Sequence, residues 1–224
     1  EERNNKCLAG QNFLVIHSGS RLLGQQVCDH YMKQGQKEVK AKGIEVPYEL
    51  TWIEGELLED YLHDMKIVCE YAALNRRIMQ TEIFKGMKWK SGDGFSSIHN
   101  YIGEDMILRK GAVSAKKGER VIVPGNMADG CLLGIGMGNT EWNMSAPHGS
   151  GRIVMRTAVK TRHTMSQYRK SMESVFSTCV GPDTLDEAPF AYRNLWDIAE
   201  VTDTTIEYAG HLGSVYNFKA GKKD

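Results

Sequence analysis

The segment SAPHGSGRIVMR, Ser145 to Arg156, sets a histidine directly before Gly-Ser-Gly and follows it with two arginines. Glycine lets backbone approach a ligand closely and adopt positive φ, and successive amides can form an anion-binding nest. A neutral imidazole nitrogen is a competent nucleophile, including toward phosphorus. Guanidinium forks match phosphate oxygens and offset the charge that develops on them. His148, Arg152 and Arg156 therefore have the residue types that phosphoryl or nucleotidyl transfer needs. The same stretch also fits a plainer reading, a turn histidine beside solvated arginines.

Two further histidines stand in polar, glycine-bearing contexts. His17 in VIHSGSR sits where a strand end would meet a Ser-Gly-Ser loop, which suits a metal ligand or a phosphate loop. A strand-end imidazole hydrogen-bonded to backbone is an equal reading. His99 and Asn100 follow the glycine-rich SGDGF; the pair could serve a metal and a phosphate, or cap a turn. These histidines lack the i,i+4 spacing of a site built on one helix, so only the fold could join them. Arg109-Lys110 and Lys116-Lys117 are expected to be solvated turn charges.

The elements that would position these residues are mixed. NFLVIHSG is expected to be a buried strand delivering His17, and LLGQQVCDHYMKQGQKEVKAKG a helix stopped by glycine. From Leu57 to Met87 an apolar stripe (Tyr61, Met65, Val68, Ala72, Asn75, Met79) recurs at helical spacing and reads as core packing. MILRKGAVSAKKGERVIVPGNM reads as two strands joined by a Lys-Lys-Gly turn, and CLLGIGMGN as a further strand. IVMRTAVKTRHTMSQYRKSMESVF looks partly helical, DEAPFAYRNLWDIAEVTDTTIEYAGHL holds another helix or two, and SVYNFKAG resembles a terminal strand carrying Lys219. Without βαβ alternation the expected architecture is α+β: one compact domain over residues 1–224, with mixed or antiparallel sheets flanked by helices.

Bulk properties narrow the function class. The chain has 224 residues, 41% hydrophobic and 25% charged, with zero formal net charge. That composition is ordinary for a globular domain and excludes a uniformly basic nucleic-acid coat, though not a local positive patch. Five cysteines form no CxxC pair, which reads as reduced thiols in a cytoplasmic setting. No apolar run approaches the roughly 20 residues that span a bilayer, so no membrane partner is expected.

Four segments in this order, HSGSRLLG, HNYIGEDMILRKGA, VPGNMADGCLLGIG and SAPHGSGRIVMR, resemble the signature blocks of the RtcB family of RNA ligases. YAALNRRIM, DEAPFAYRN and VYNFKAG resemble it too, so the likeness runs from about residue 12 to 221. The resemblance implies a GTP- and manganese-dependent ligase, with two manganese ions, whose substrates are an RNA 3′-phosphate or 2′,3′-cyclic phosphate end and a 5′-hydroxyl end. It implies that His148 is guanylylated, that GMP passes to the 3′-phosphate, and that the 5′-hydroxyl then seals the strand. It maps metal ligands onto His17 and His99, and terminal-phosphate contacts onto Arg21, Arg152 and Arg156. Nucleotide-pocket positions fall on Asn100, Asn126, Met127, Cys131, Gly149, Ser150, Gly151, Tyr192 and Lys219.

Four positions depart from the family pattern: Asn126 and Cys131 replace serines, HGSG stands for HGAG, and Leu108 precedes RKGA where histidine is common. The family's upstream Asp-x-Gly-Cys-Gly and GNHFIE-type blocks, which supply further metal ligands, do not precede Glu1, and Cys7 is not assigned as a substitute. The chain is thus expected to be the C-terminal part of a longer family protein. The alternative is a non-catalytic relative that binds nucleotide or RNA ends with an incomplete metal site.

Overall fold

A computed structural model describes residues 10–90 and 92–220. The polar segment 1–9, with Cys7, lies outside the described residues. The chain divides into two compact units, residues 14–96 and a second comprising 1–13 with 97–224.

The first unit is a helical hairpin of α1 (Arg21–Ala41) and α2 (Gly55–Met87). Tyr31, Gly35 and Val39 recur every four residues on α1 and are its buried positions, while α2 buries Ala72. Tyr31 donates its hydroxyl to Asp64 Oδ2 at 2.8 Å and meets the Tyr61 ring edge-on, 5.2 Å between centroids. Burial and the Asp64 carboxylate push the Tyr31 phenol up to about 12. Gly35 is small for a reason: a Cβ there would stand 2.6 Å from Ile53 Cγ2 and 2.9 Å from the Trp52 carbonyl. Gly43, with φ of 74°, follows the end of α1 as the expected stop, and Lys88 caps α2 in the left-handed conformation.

Only part of the expected stripe on α2 is covered. Tyr61, Met65, Val68 and Asn75 are half-buried, whereas Met79 is exposed, as are Ile67, Tyr71, Leu74 and Ile78 on another face. The expected strand at NFLVIHSG is absent. Residues 11–20 are irregular, with Phe13, Leu14 and Val15 exposed, because no described strand pairs with them and an isolated strand has no partner for its amides.

The second unit carries all the described strands: β1 (Tyr101–Ile102), β2 (Leu108–Arg109), β3 (Ala112–Ser114), β4 (Arg120–Pro124), β5 (Cys131–Gly136), β6 (Ser145–Pro147) and β7 (Ile206–Leu212). They form three small antiparallel sheets, β1-β2, β3-β6 and β4-β5-β7. With the helices α3 (Arg156–Arg162), α4 (Met165–Ser171) and α5 (Leu195–Val201), this is the expected α+β architecture. The two strands expected in MILRKGAVSAKKGERVIVP exist, but they do not pair with each other: β3 goes to β6 and β4 to β5. The described part of SVYNFKAG, residues 214–220, is not a strand; it makes one isolated parallel bridge, Tyr216 with Phe176. β7, in a stretch read as helical, closes the three-stranded sheet beyond β5.

Two apolar clusters hold this unit. Val113, Val121, Val123, Leu132, Ala146, Leu195 and Ile206 pack the sheets against α5. Met127, Val154, Val159, Tyr168, Met172, Leu185 and Ala191 fill a second core beneath α3 and α4. α4 begins with a full capping box between Thr164 and Gln167.

Candidate active site

The register of β3 on β6 builds the centre of the site. Ala112 stands opposite Pro147, so the residues just outside the pair, Gly111 and His148, also face each other. The Gly111 carbonyl accepts from the His148 amide at 3.3 Å and lies 2.7 Å from His148 Nδ1. A carbonyl only accepts, so this contact infers a proton on Nδ1 and leaves the Nε2 lone pair unshared in the neutral ring. The Gly111 amide donates to Asn100 Oδ1 at 2.8 Å, which fastens the preceding peptide of the same residue. Gly111 has φ of 69° and Asn100 φ of 62°, conformations that glycine and asparagine tolerate best. His99 then lies against His148, ring centroids 4.6 Å apart and tilted by 43°. Four positions scattered between 99 and 148 thus form one cluster, with His99, Gly111 and His148 half-buried and Asn100 exposed at its edge.

Below it, Gly149 approaches the Pro124 carbonyl so closely that a Cβ would be 3.0 Å away. Ser150 donates its amide to that carbonyl at 2.9 Å, and the Gly151 carbonyl accepts from the Arg193 amide at 3.0 Å. Ser150 is buried, and its hydroxyl has no protein partner among the described residues. The neighbouring PGNM loop spends its side chains on the fold. Asn126 Oδ1 accepts from the amides of Ala128 and Asp129, while its Nδ2 donates to Asp129 Oδ2 at 2.7 Å. Met127 lies in the core with the Tyr168 hydroxyl 3.1 Å from its sulfur. Cys131 is buried at the start of β5, where burial pushes its thiol up to about 11.

Arg152, Arg156, Tyr192 and Lys219 come together around two acids that sequence reasoning left without a role, Asp186 and Glu187. Arg156 Nη1 contacts Asp186 Oδ2 at 2.9 Å and Glu187 Oε1 at 2.6 Å. Lys219 Nζ is 3.4 Å from Glu187 Oε2, and Tyr192 donates its hydroxyl to that oxygen. Arg152 lies over the Tyr192 ring at 4.9 Å; its Nη1 donates to the Tyr192 hydroxyl, its Nε to the Val154 carbonyl and its Nη2 to the Asp186 carbonyl. Burial pushes the Glu187 carboxyl up, but the Tyr192 hydrogen bond and the nearby cations outweigh it and hold the group below its usual range. Burial, then the Glu187 carboxylate, pushes the Tyr192 phenol up to about 12. The only signal for the two acids was their place in DEAPFAYRN.

Arg109 overturns an expectation. It is fully buried, not solvated, forking onto Asp105 at 3.0 and 2.9 Å and donating from Nε to Ser145 Oγ at 2.9 Å. Nearly all its donors are spent inside the fold, so a planar guanidinium can be buried there. Lys110 beside it is exposed, as expected.

His17 and Arg21 belong to the helical unit. His17 is exposed in the loop before α1, and Arg21, also exposed, opens α1 with φ of 54°. The loop is tied to α2: Arg76 Nη1 donates to the Ser18 carbonyl at 3.0 Å, and Asn75 Nδ2 to the Gly19 carbonyl at 3.3 Å. Among the described residues no three His, Cys, Asp or Glu side chains come together as a metal cluster. A manganese ion commonly takes roughly six donors. The described side chains do not make a complete site for it.

A pair of imidazoles at a strand end and an arginine-carboxylate cluster, set on small antiparallel sheets with short helices, mark this unit of an α+β protein. The family model described as tRNA-splicing ligase RtcB matches residues 3–220, and the chain belongs to that family. It is 30% identical to the RNA-splicing ligase RtcB1 of Escherichia coli ATCC 25922 over 224 aligned residues, covering 90% of this chain and 55% of that protein. The RNA-splicing ligase RtcB of E. coli K12 is 28% identical with the same coverage. The tRNA-splicing ligase RtcB of Archaeoglobus fulgidus is 28% identical, covering 86% of this chain and 48% of its own. The chain spans about half the length of the curated relatives it matches. No helix among the described residues is long and apolar enough to cross a membrane.

Proposed function

We propose that this chain carries the histidine of an RNA ligase that joins a 3′-phosphate or 2′,3′-cyclic phosphate end to a 5′-hydroxyl end, using GTP. The observation that carries this reading is the Gly111 carbonyl on His148 Nδ1, which leaves Nε2 as the nucleophilic nitrogen. Nε2 attacks the α-phosphorus of GTP, the bond to the pyrophosphate oxygen breaks, and a phosphoramidate to GMP forms. The RNA 3′-phosphate oxygen then displaces the imidazole, which recovers its lone pair. Attack by the 5′-hydroxyl finally expels GMP and seals the strand. A 2′,3′-cyclic end is opened to the 3′-phosphate before this sequence. Arg156, which is largely exposed, and Arg152 beside it would offset charge on the terminal phosphate, while Arg21 is a candidate phosphate contact on the helical unit.

The glycines flanking Ser150, the loop at Asn126, Met127 and Cys131, and Asn100, Tyr192 and Lys219 would form the nucleotide pocket. Because Asn126 and Met127 commit their side chains to the fold, their loop would meet the nucleotide through its backbone. His17, in the helical unit, and His99, in the unit that carries His148, are each a candidate manganese ligand on its own unit. Cys28, Cys69, Cys131 and Cys179 carry free thiols, which supports a reducing, cytoplasm-like compartment.

The test is incubation of the protein with α-labelled GTP and manganese. Acid-labile label should appear on the wild type and vanish in His148→Ala; equal labelling of the two would overturn the assignment. A second reading, binding without transfer, is favoured by how fully Asn126, Met127 and Cys131 are absorbed into the fold. GTP or RNA-end binding with no adduct at all would establish it.

A further inference from the structure

Glu187 is the meeting point of four side chains that the ligase reading divides between two ligands. On Oε2 it receives Tyr192 and Lys219, assigned to the nucleotide; on Oε1 it faces Arg156 at 2.6 Å and Arg152 at 3.8 Å, assigned to the RNA phosphate. The carboxylate is largely enclosed, its side chain 13% exposed, while Arg156 reaches solvent at 59%. Three cations gathered this tightly repel one another, and what holds them is the acid between them, aided by Asp186. Its two oxygens are not interchangeable: one serves each pair.

We propose that Glu187 is a positioning residue that locks Tyr192 and Lys219 to Arg152 and Arg156, so that nucleotide binding and recognition of the RNA end share one carboxylate. The inference rests on the ligase reading of the site. Three cations against two carboxylates leave the cluster with a single net positive charge. Neutralising Glu187 adds one unit of positive charge while freeing the donors from fixed positions. RNA of any kind should then bind with a steeper salt dependence, while selection for a phosphorylated end weakens.

The experiment uses Glu187→Gln and Glu187→Asp in the full-length protein. The probes are labelled GTP with manganese, for adduct formation, and two fluorescent oligoribonucleotides that differ only in a 3′-phosphate or 3′-hydroxyl. In Glu187→Gln the KM for GTP should rise about tenfold and the preference for the phosphorylated end should fall about tenfold, the scale of a lost hydrogen bond to a charged group. The rate at saturating GTP should stay within about twofold, because the loss is in binding. Glu187→Asp, which keeps the charge but withdraws it by one methylene, should show smaller shifts in both. If Glu187→Gln does not fold, Glu187→Asp decides alone.

A carboxylate with a merely structural role would lower the folded fraction and leave both quantities unchanged in the folded protein. That result, or a shift in only one of the two, overturns the proposal and leaves the ligase reading standing. A wild type that forms no adduct and does not distinguish the two oligonucleotides overturns the ligase reading, and this inference with it.

Discussion

Gly111 is the smallest residue of the site and the one on which its geometry turns. Its amide is held by Asn100 and its carbonyl by His148, so one residue, through the two peptides on either side of its Cα, sets both the tautomer and the tilt of the imidazole. A Cβ at Gly111 would meet His148 Cε1 at 3.5 Å, an ordinary contact, so the cost of Gly111→Ala lies in its φ of 69°. A side chain in that region costs about 1–2 kcal/mol. Chemical denaturation of Gly111→Ala should show a loss of this size, and adduct formation at His148 should slow as the strained peptide turns the ring; unchanged stability would mean the peptide relaxes freely. At this scale the sequence shows which residues have the right chemistry but not which of them are spoken for. His148 and Arg156 stand out by type and spacing. Asn126 and Met127 stand out equally, yet their side chains close a turn and fill a core, because local hydrogen bonding and burial depend on neighbours that no motif records. Arg109 was unreadable for the same reason: its acceptors are Asp105 and Ser145, one on a turn and the other on a strand 36 positions away.

The strands are short, and a buried ion pair does much of the work of joining them. Arg109 on β2 reaches Asp105 in the preceding turn and Ser145 on β6, so it fastens the β1-β2 hairpin to the strand that delivers His148. Arg109→Met would leave the enclosed Asp105 carboxylate without its fork, and breaking such a pair costs about 3–5 kcal/mol. Urea unfolding checks this; a loss under 1 kcal/mol, about the worth of a surface pair, would show that the pair is effectively solvated. The pH dependence has a definite sign. The Arg109 fork, with help from the Ile107 amide and Lys116, holds the Asp105 carboxyl well below the usual carboxylate range. Its contribution is complete above the unfolded value near 4 and fades as pH drops from there toward the folded value, so acid should unfold wild type along a component that Asp105→Asn lacks. In the helical unit, Gly35→Ala gains up to about 1 kcal/mol of helix propensity but drives a Cβ against the Trp52 carbonyl and Ile53; the clash, worth about 1–3 kcal/mol, should win and lower the melting temperature. Elements with strong local signals, α1, α2 and β5, follow the expected spans closely. β3, β6 and β7 take their partners from far along the chain, and pairing at that distance is set by the register of the whole sheet, not by the residues of any one strand.

Across the whole chain, the proposed nucleotide contacts are not spread evenly. Asn100, Asn126, Met127, Cys131, Gly149, Ser150, Gly151, Tyr192 and Lys219 all belong to the unit that includes residues 97–224, and none to residues 14–96. A ligand that binds only the native state stabilises what it touches, by about 2.7 kcal/mol at a hundredfold excess over Kd. Backbone amides that open through local unfolding of the bound unit should slow accordingly, by about a hundredfold, whereas amides governed by a separate opening should not. Hydrogen exchange with and without saturating GTP should therefore show protection in peptides covering 99–112, 124–131 and 145–152, and little change in α1 and α2. Protection of α1 and α2 as strong as that around His148 would mean that the two units open as one cooperative body, and would remove the division of labour inferred from their contacts. Protection confined to the helices would contradict the placement of the nucleotide beside His148 altogether.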